Sequence, residues 1–219
     1  MVATSDLFAT DGLPAMLAEL LAVARPWEVL ARLDALGFEE ILEGELHPSA
    51  VVDGPLYLAP GARIGPHAYL EGPVWLGPGS SVKHGAYLRG PVVLGAGAEI
   101  GAKSEVKRSL FLPGAKAAHL NYVGDSVLGR GVNLGAGVKL ANFKTFGTPV
   151  AVAGEATGLR KFGAAVGDGT AIGCNAVASP GTIIGPRTVV YNGALLRGVV
   201  PADTVVKVRQ TLEYAERAR

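Results

Sequence analysis

Between Val52 and Leu112 an aliphatic side chain stands at every sixth position, in the series Val52, Leu58, Ile64, Leu70, Leu76, Val82, Leu88, Leu94, Ile100, Val106 and Leu112. Neither an α-helix nor a simple alternating strand has this period. A chain that turns a corner every six residues has it, since three such edges close a triangular coil and successive coils stack. The stretch therefore predicts a parallel β-helix whose interior is filled by these side chains.

The composition limits the class of protein. The chain has 219 residues, of which 49% are hydrophobic and 18% charged, so we expect a folded protein with a substantial core. A net charge of +1 favours neither nucleic acid nor a membrane as a general partner. The single cysteine, Cys174, rules out an internal disulfide. Without a basic leader or a long apolar segment, the sequence indicates a soluble cytoplasmic protein.

Three segments differ in their pattern. Residues 1–45 show helical spacing interrupted by Pro26 and ended by Gly37, and we expect a helical cap over the open end of the solenoid. Residues 46–207 carry the β-helix, with a loop inserted at 141–165 where the period is lost. Residues 208–219 are predicted to form a short C-terminal helix.

The six-residue rhythm changes after Leu112. The next inward positions are expected at Ala118, Val123, Leu128 and Leu134, with two steps of five residues that shorten one coil. Period six resumes at Val166, after the inserted loop. Departures from an otherwise strict pattern are where functional sites are expected.

Two cations stack in the regular part of the solenoid. Arg89 and Lys107 each follow an inward residue, so both point outward from neighbouring coils about 4.8 Å apart. One interpretation is a phosphate clamp. The other is that the carboxylates of Glu71 and Glu105, which fall beside them, neutralise the pair.

Further polar residues join the same outer surface. His119 lies in the shortened coil, with Tyr122 close by and Asn133 one coil later. Together with the two cations they suggest a site for a phosphorylated substrate and acid–base chemistry. A three-histidine zinc site is the chemical alternative, but the other histidines are distant in sequence and the position five after His119 is Gly124. We therefore predict no metal.

The segments His119–Asp125, Val132–Gly137 and Ala141–Phe143 resemble the acetyltransferase half of bifunctional N-acetylglucosamine-1-phosphate uridyltransferases. Thr157–Ala164 resembles related sugar-phosphate nucleotidyltransferase-like proteins that carry a longer loop. The resemblance implies a left-handed β-helix, a homotrimer with active sites between subunits, and transfer of an acetyl group from acetyl-CoA to the amine of glucosamine 1-phosphate.

The resemblance also assigns roles to residues. It makes His119 the general base and Glu105 its orienting partner. It places the sugar phosphate on Arg89 and Lys107, and the sugar on Tyr122 and Asn133. Lys161, or alternatively Arg160, replaces a loop lysine that reaches a neighbouring subunit. The acetyl-CoA contacts fall on Ala136, Asn142, Cys174 and Lys207.

No glycine-rich nucleotide motif occurs near the N-terminus, so we expect no nucleotidyl transfer by this chain and a possible separate nucleotidyltransferase as its partner. Two alternatives to the acetyltransferase stay open at this point. One is a non-catalytic subunit that binds a nucleotide sugar or sugar phosphate, and the other is a metal-dependent enzyme similar to carbonic anhydrase.

Overall fold

The computed structural model describes residues 2–217. The N-terminal part holds short 3-10 helices at Thr4–Asp6 and Pro26–Glu28, helix α1 at Ala15–Leu21 and helix α2 at Val29–Asp34. None of the helices in this described part has the length and apolar character that crossing a bilayer requires.

The rest of the chain winds into a three-sided solenoid of parallel strands. The first face contains Ile41–Leu42, Leu56–Leu58, Val74–Leu76, the second half of Tyr87–Leu94, the second half of Glu105–Phe111, Val127–Leu128, Ala164–Val166, Thr182–Ile184 and Val199–Val200. The second face contains Glu45–Leu46, Arg63–Ile64, Ser81–Val82, Glu99–Ala102, Lys116–His119, Asn133–Leu134, Ala171–Ile172, Val189–Val190 and Val205–Val206. The third face contains Val51–Asp53, Tyr69–Glu71, the first halves of Tyr87–Leu94 and Glu105–Phe111, Tyr122–Gly124, Lys139–Leu140, Val177–Ala178 and Leu195–Leu196.

The inward side chains form continuous columns, which confirms the predicted all-β parallel β-helix. On the third face the column begins at Val52 and continues, in register, through Leu70, Leu88, Val106, Val123, Leu140, Ala178 and Leu196. From Leu70 to Leu196 these side chains are at most 4% exposed. Aliphatic side chains stacked in this way bury most of the apolar surface of each coil.

Of the two predicted five-residue steps, the one from Val123 to Leu128 is confirmed and the other lies elsewhere. Phe111 and Ala117 occupy the inward positions, in place of Leu112 and Ala118. The five-residue steps therefore run from Val106 to Phe111 and from Val123 to Leu128. The register shift between Lys107 and Ser109 absorbs the missing residue.

The helices cover a side of the solenoid, whereas the sequence suggested its open end. Leu17, Leu30 and Leu33 pack in one cluster with outward-facing apolar residues of the first face, namely Val93, Leu110, Leu112, Val127, Ala165 and Ile183. These outward residues explain the position, since an apolar side wall needs a cover as much as an open end does.

The inserted loop packs against the same segment. It contains an antiparallel hairpin of Ala151–Val152 and Glu155–Ala156, and its Phe162 is fully buried. The rings of Phe162 and Trp27 meet edge to face with centroids 6.3 Å apart. Phe143 and Lys161 form an antiparallel bridge where the loop leaves and rejoins the solenoid.

The predicted C-terminal helix is wrong for residues 208–217, which have no regular secondary structure and are exposed. A segment this short is marginal as an isolated helix, and here it has no buried face to stabilise it. The first parallel strand, Ile41–Leu42, lies ahead of the boundary suggested at residue 46.

Candidate active site

A cleft of about 680 Å³ lies between the outer surface of the third face and the inserted loop. Its walls carry mostly charged and polar side chains, and they consist of Arg89, Lys107, Arg108, Tyr122, Asp125, Asn142, Phe143, Leu159, Arg160 and Lys161. The cleft thus combines residues of four successive coils with residues of the loop.

Arg89 stands where the sequence placed it, with Glu71 and Lys107 as its partners on the neighbouring coils. Its Nη1 donates to Glu105 at 3.1 Å, and its Nε lies 3.9 Å from a carboxylate oxygen of Glu71. The pKa of the Arg89 guanidinium is raised above its ordinary value, mainly because of its hydrogen bond to Glu105. Neutralisation by carboxylates, the second of the two interpretations, therefore describes Arg89 in this structure.

Lys107 is in a different electrostatic situation. Within residues 2–217 neither Lys107 nor Lys161 has a carboxylate within ion-pair distance. Burial lowers the pKa of the Lys107 ammonium, and the nearby cations Lys161 and Arg89 lower it further, although Asp125 acts in the opposite direction. Two ammonium groups held together in a partly buried cleft create a position that an anion would occupy favourably.

Four polar side chains joined by hydrogen bonds form the back of the cleft, and we call this group the polar ladder: Arg108, Asp125, Asn142 and Tyr122. Asp125 is only 1% exposed, and one carboxylate oxygen accepts from Arg108 Nη1 at 3.3 Å while the other accepts from Asn142 Nδ2. The Tyr122 hydroxyl donates to Asn142 Oδ1 at 3.3 Å. Burial is the main cause that raises the pKa of Tyr122, with further contributions from Glu105 and Asp125, so the phenol stays a hydrogen-bond donor.

The ladder follows from the solenoid geometry. Arg108, Asp125 and Asn142 each stand two positions after an inward residue of the third face, on three successive coils. Arg108 and Asp125 have φ of +44°, which allows the five-residue steps. We did not predict Arg108 or Asp125 as site residues. The common offset from the inward residue was the sequence signal that could have found both.

His119 lies around the corner from the cleft and is exposed. Its position, two residues after an inward residue of the second face, is shared by Ala136 and Cys174 on the next coils. The amide of Gly137 donates to the His119 carbonyl at 3.0 Å, and the amide of Asn175 donates to the Ala136 carbonyl at 2.8 Å. We call His119, Ala136 and Cys174 the corner column. It contains the residue predicted as the base and two residues predicted to contact acetyl-CoA.

Two of the predicted site residues, Asn133 and Lys207, lie neither in the cleft nor in the corner column. Asn133 is exposed on the second face and is in register with Lys116, on the side of the corner away from Tyr122. Lys207 is exposed and follows the last strand of the second face. Asn142 lines the cleft and does not belong to the corner column.

Comparison with known proteins supports the resemblance noted from the motifs. Residues 70–162 match the family model described as the GMPPB C-terminal domain. A bifunctional sugar-1-phosphate nucleotidylyltransferase/acetyltransferase of Sulfurisphaera tokodaii is 40% identical over 114 residues, which is 50% of this chain and 28% of that protein. The bifunctional protein GlmU of Methanococcus aeolicus is 32% identical over 195 residues, or 87% of this chain and 47% of that protein.

Among solved structures, the UDP-N-acetylglucosamine acyltransferase from Campylobacter jejuni aligns with a TM-score of 0.43 at 14% identity, over 72% of this chain and 69% of that chain. The sequence matches confirm that the chain is similar to the bifunctional proteins of the predicted family. The chain spans less than half the length of the two curated relatives described above.

Proposed function

We propose that the chain is an acetyl-CoA-dependent N-acetyltransferase that acts on an amino-sugar 1-phosphate. The observation that carries the proposal is the pair of ammonium groups on Lys107 and Lys161, which have no carboxylate partner in the described chain and face a cleft beside the corner that bears His119. The sequence similarity to bifunctional proteins named for an acetyltransferase activity agrees with it.

In this proposal the two lysines bind the phosphate, since a dianion between them relieves their repulsion. Arg89 lies one coil below Lys107 and holds the near wall of the cleft through its carboxylate partners. The Tyr122 hydroxyl and the Asn142 amide supply neutral hydrogen bonds to the sugar and the acyl group.

His119 removes a proton from the ammonium of the sugar, because an amine attacks a thioester only in its neutral form. The nitrogen then adds to the thioester carbonyl, and the C–S bond breaks as the tetrahedral intermediate expels the CoA thiolate. The nitrogen loses a second proton to become the amide, the thiolate takes up one proton to become the CoA thiol, and one proton goes to solvent. Acetyl-CoA would lie along the exposed corner column of His119, Ala136 and Cys174. A second copy of the chain in a homotrimer would cover that column and bring in residues such as Asn133 and Lys207.

The test compares His119→Ala with His84→Ala in acetyl transfer from acetyl-CoA to glucosamine 1-phosphate. The reaction is measured as the release of free CoA thiol. His84 is also exposed and stands in the same corner column two coils earlier, so it is a matched control. We expect His119→Ala to abolish turnover and to keep its oligomeric state in light scattering. Turnover at the wild-type rate in His119→Ala would sink the mechanism. Calorimetry separates the non-catalytic alternative, which would bind the sugar phosphate but not acetyl-CoA.

A further inference from the structure

The guanidinium of Arg108 joins the N-terminal helices to the cleft. Its Nε donates to Asp34 Oδ1 at 2.8 Å and its Nη2 donates to Asp34 Oδ2, which leaves Nη1 for Asp125. Asp34 is the last residue of helix α2. A hydrogen-bonded path therefore runs from α2 through Arg108, Asp125 and Asn142 to the Tyr122 hydroxyl.

The position of Asp34 has no explanation in the stability of its own helix. A carboxylate at a helix C-terminus interacts unfavourably with the helix dipole. Asp34 is also half exposed, with 46% of its side chain accessible, so it could be solvated without a partner. The presence of Asp34 at this position is explained by its two hydrogen bonds from Nε and Nη2 of Arg108, which we call the fork.

The fork decides how Arg108 meets Asp125. Arginine prefers to bind both oxygens of one carboxylate in a bidentate pair. Nε and Nη2 of Arg108 already donate to Asp34, so only Nη1 is left for Asp125 and it reaches one of the two carboxylate oxygens. The other oxygen is free to accept from Asn142 Nδ2, and this bond turns Asn142 Oδ1 toward the Tyr122 hydroxyl.

We propose that Asp34 and Arg108 are positioning residues of the cleft: Asp34 restrains Arg108 so that Asp125 orients the Asn142 amide. Without Asp34, Arg108 pairs with both oxygens of Asp125 and displaces Asn142. Helix α2 lies outside residues 70–162, the part that matches the family model. The consequence for turnover rests on the proposed acetyl transfer, whereas the orientation of Asn142 does not.

The first measurement needs no activity. The chain contains five asparagines, so selective labelling gives a short spectrum of side-chain amide resonances, and Asn142→Asp identifies the one that matters. We expect Asp34→Asn to move the Asn142 amide resonance toward the values of exposed asparagines. Glu19→Gln removes one negative charge from an exposed position of helix α1 and serves as the control. An unmoved Asn142 resonance in Asp34→Asn would overturn the inference.

The second measurement separates positioning from mere stability. We expect Asp34→Asn to lower kcat about tenfold with little change in KM, and Asp34→Glu to restore it because the fork can re-form. Arg108→Lys keeps the charge but cannot bind both oxygens of Asp125, so it should leave Asn142 in place and retain more of kcat than Asp34→Asn does. A lower melting temperature with unchanged kcat would make the contact structural only and refute the positioning role. If the wild type acetylates no amino-sugar phosphate, the proposed function fails, and the Asn142 resonance still decides the inference.

Discussion

Replacement of Asp125 by alanine should be among the most damaging single changes near the cleft. The carboxylate is 1% exposed and accepts hydrogen bonds from Arg108 and Asn142. Its removal leaves both donors without an acceptor on that side. It also puts alanine at a φ of +44°, a left-handed conformation that aspartate tolerates better.

The size of the loss can be worked from these contacts. Removing one partner of a buried ion pair costs about 3–5 kcal/mol. The lower end applies here because Arg108 keeps Asp34, and 20% of its side chain is exposed. Asn142, at 7% exposure, loses one acceptor, which costs about 1–3 kcal/mol, but it retains the Tyr122 hydroxyl. We therefore expect a decrease of about 4 kcal/mol in the free energy of unfolding for Asp125→Ala.

Urea unfolding followed by circular dichroism, at a fixed protein concentration, gives this free energy. Asp125→Asn separates the charge from the backbone, because asparagine accepts the left-handed conformation, and it should lose about 3 kcal/mol. Asp203→Ala is the matched control, since Asp203 also pairs with an arginine, Arg187, but its side chain is 62% exposed. We expect little change there. A loss in Asp125→Ala no larger than that of Asp203→Ala would refute the reasoning.

Three further predictions concern the loop and its surroundings. Because burial and Lys161 hold the pKa of Lys107 below its ordinary 10.5, orthophosphate affinity measured by calorimetry should fall as pH rises through that lowered pKa. In Lys161→Gln the affinity should be weaker and its fall should move to higher pH; an unchanged pH profile would contradict this electrostatic account. Phe162→Ala should cost about 3–5 kcal/mol in urea unfolding and speed tryptic cleavage at the loop, since the ring is fully buried against Trp27; unchanged cleavage would mean that the loop is held elsewhere. Deletion of residues 209–219 should leave the melting temperature within about 2 °C of the full chain, because residues 209–217 are exposed; a larger fall would show that the tail packs on another subunit.

The sequence could predict the columns of the solenoid because its period repeats over many coils. It could not predict which of Phe111 and Leu112 points inward, since both are apolar and both are fully buried, on opposite sides of the same wall. The bulge that decides between them has Arg108 in a left-handed conformation, where a glycine would have been a recognisable signal.

The same limit explains the placement of the helices. Their apolar spacing predicts a buried face but says nothing about the surface that buries it. The information lay in the first face, where Val93 and Leu110 are apolar although they point outward. An apolar residue at an outward position of a β-helix predicts a covered wall, and this rule would have placed the N-terminal segment correctly.

For the site, stacking predicted that Arg89 and Lys107 are in register, and it offered Glu71 and Glu105 as neutralising partners for the pair. It could not foresee that both carboxylates would go to Arg89, since that depends on how long side chains lean between coils. Among residues 2–217 the pairing leaves Lys107 without a carboxylate partner, beside Lys161, a contact that the folded loop creates. The roles assigned to His119 and Glu105 stay predictions.

The cleft and the N-terminal segment are one mechanical unit, and this follows from how the loop is anchored. Phe162 packs on Trp27, and Arg25 donates to Glu155 of the loop hairpin at 2.8 Å. Lys161 immediately precedes Phe162, so the position of its ammonium depends on that anchor. A change that loosens the N-terminal segment would therefore weaken the cleft from two sides, by moving Lys161 away from Lys107 and by releasing Arg108 from Asp34. The two routes also meet at the backbone, since the Phe162 amide donates to the Asn142 carbonyl at 3.0 Å. We therefore expect Phe162→Ala to weaken phosphate binding more than Asp34→Asn does, and Asp34→Asn to shift the Asn142 side-chain amide more than Phe162→Ala does.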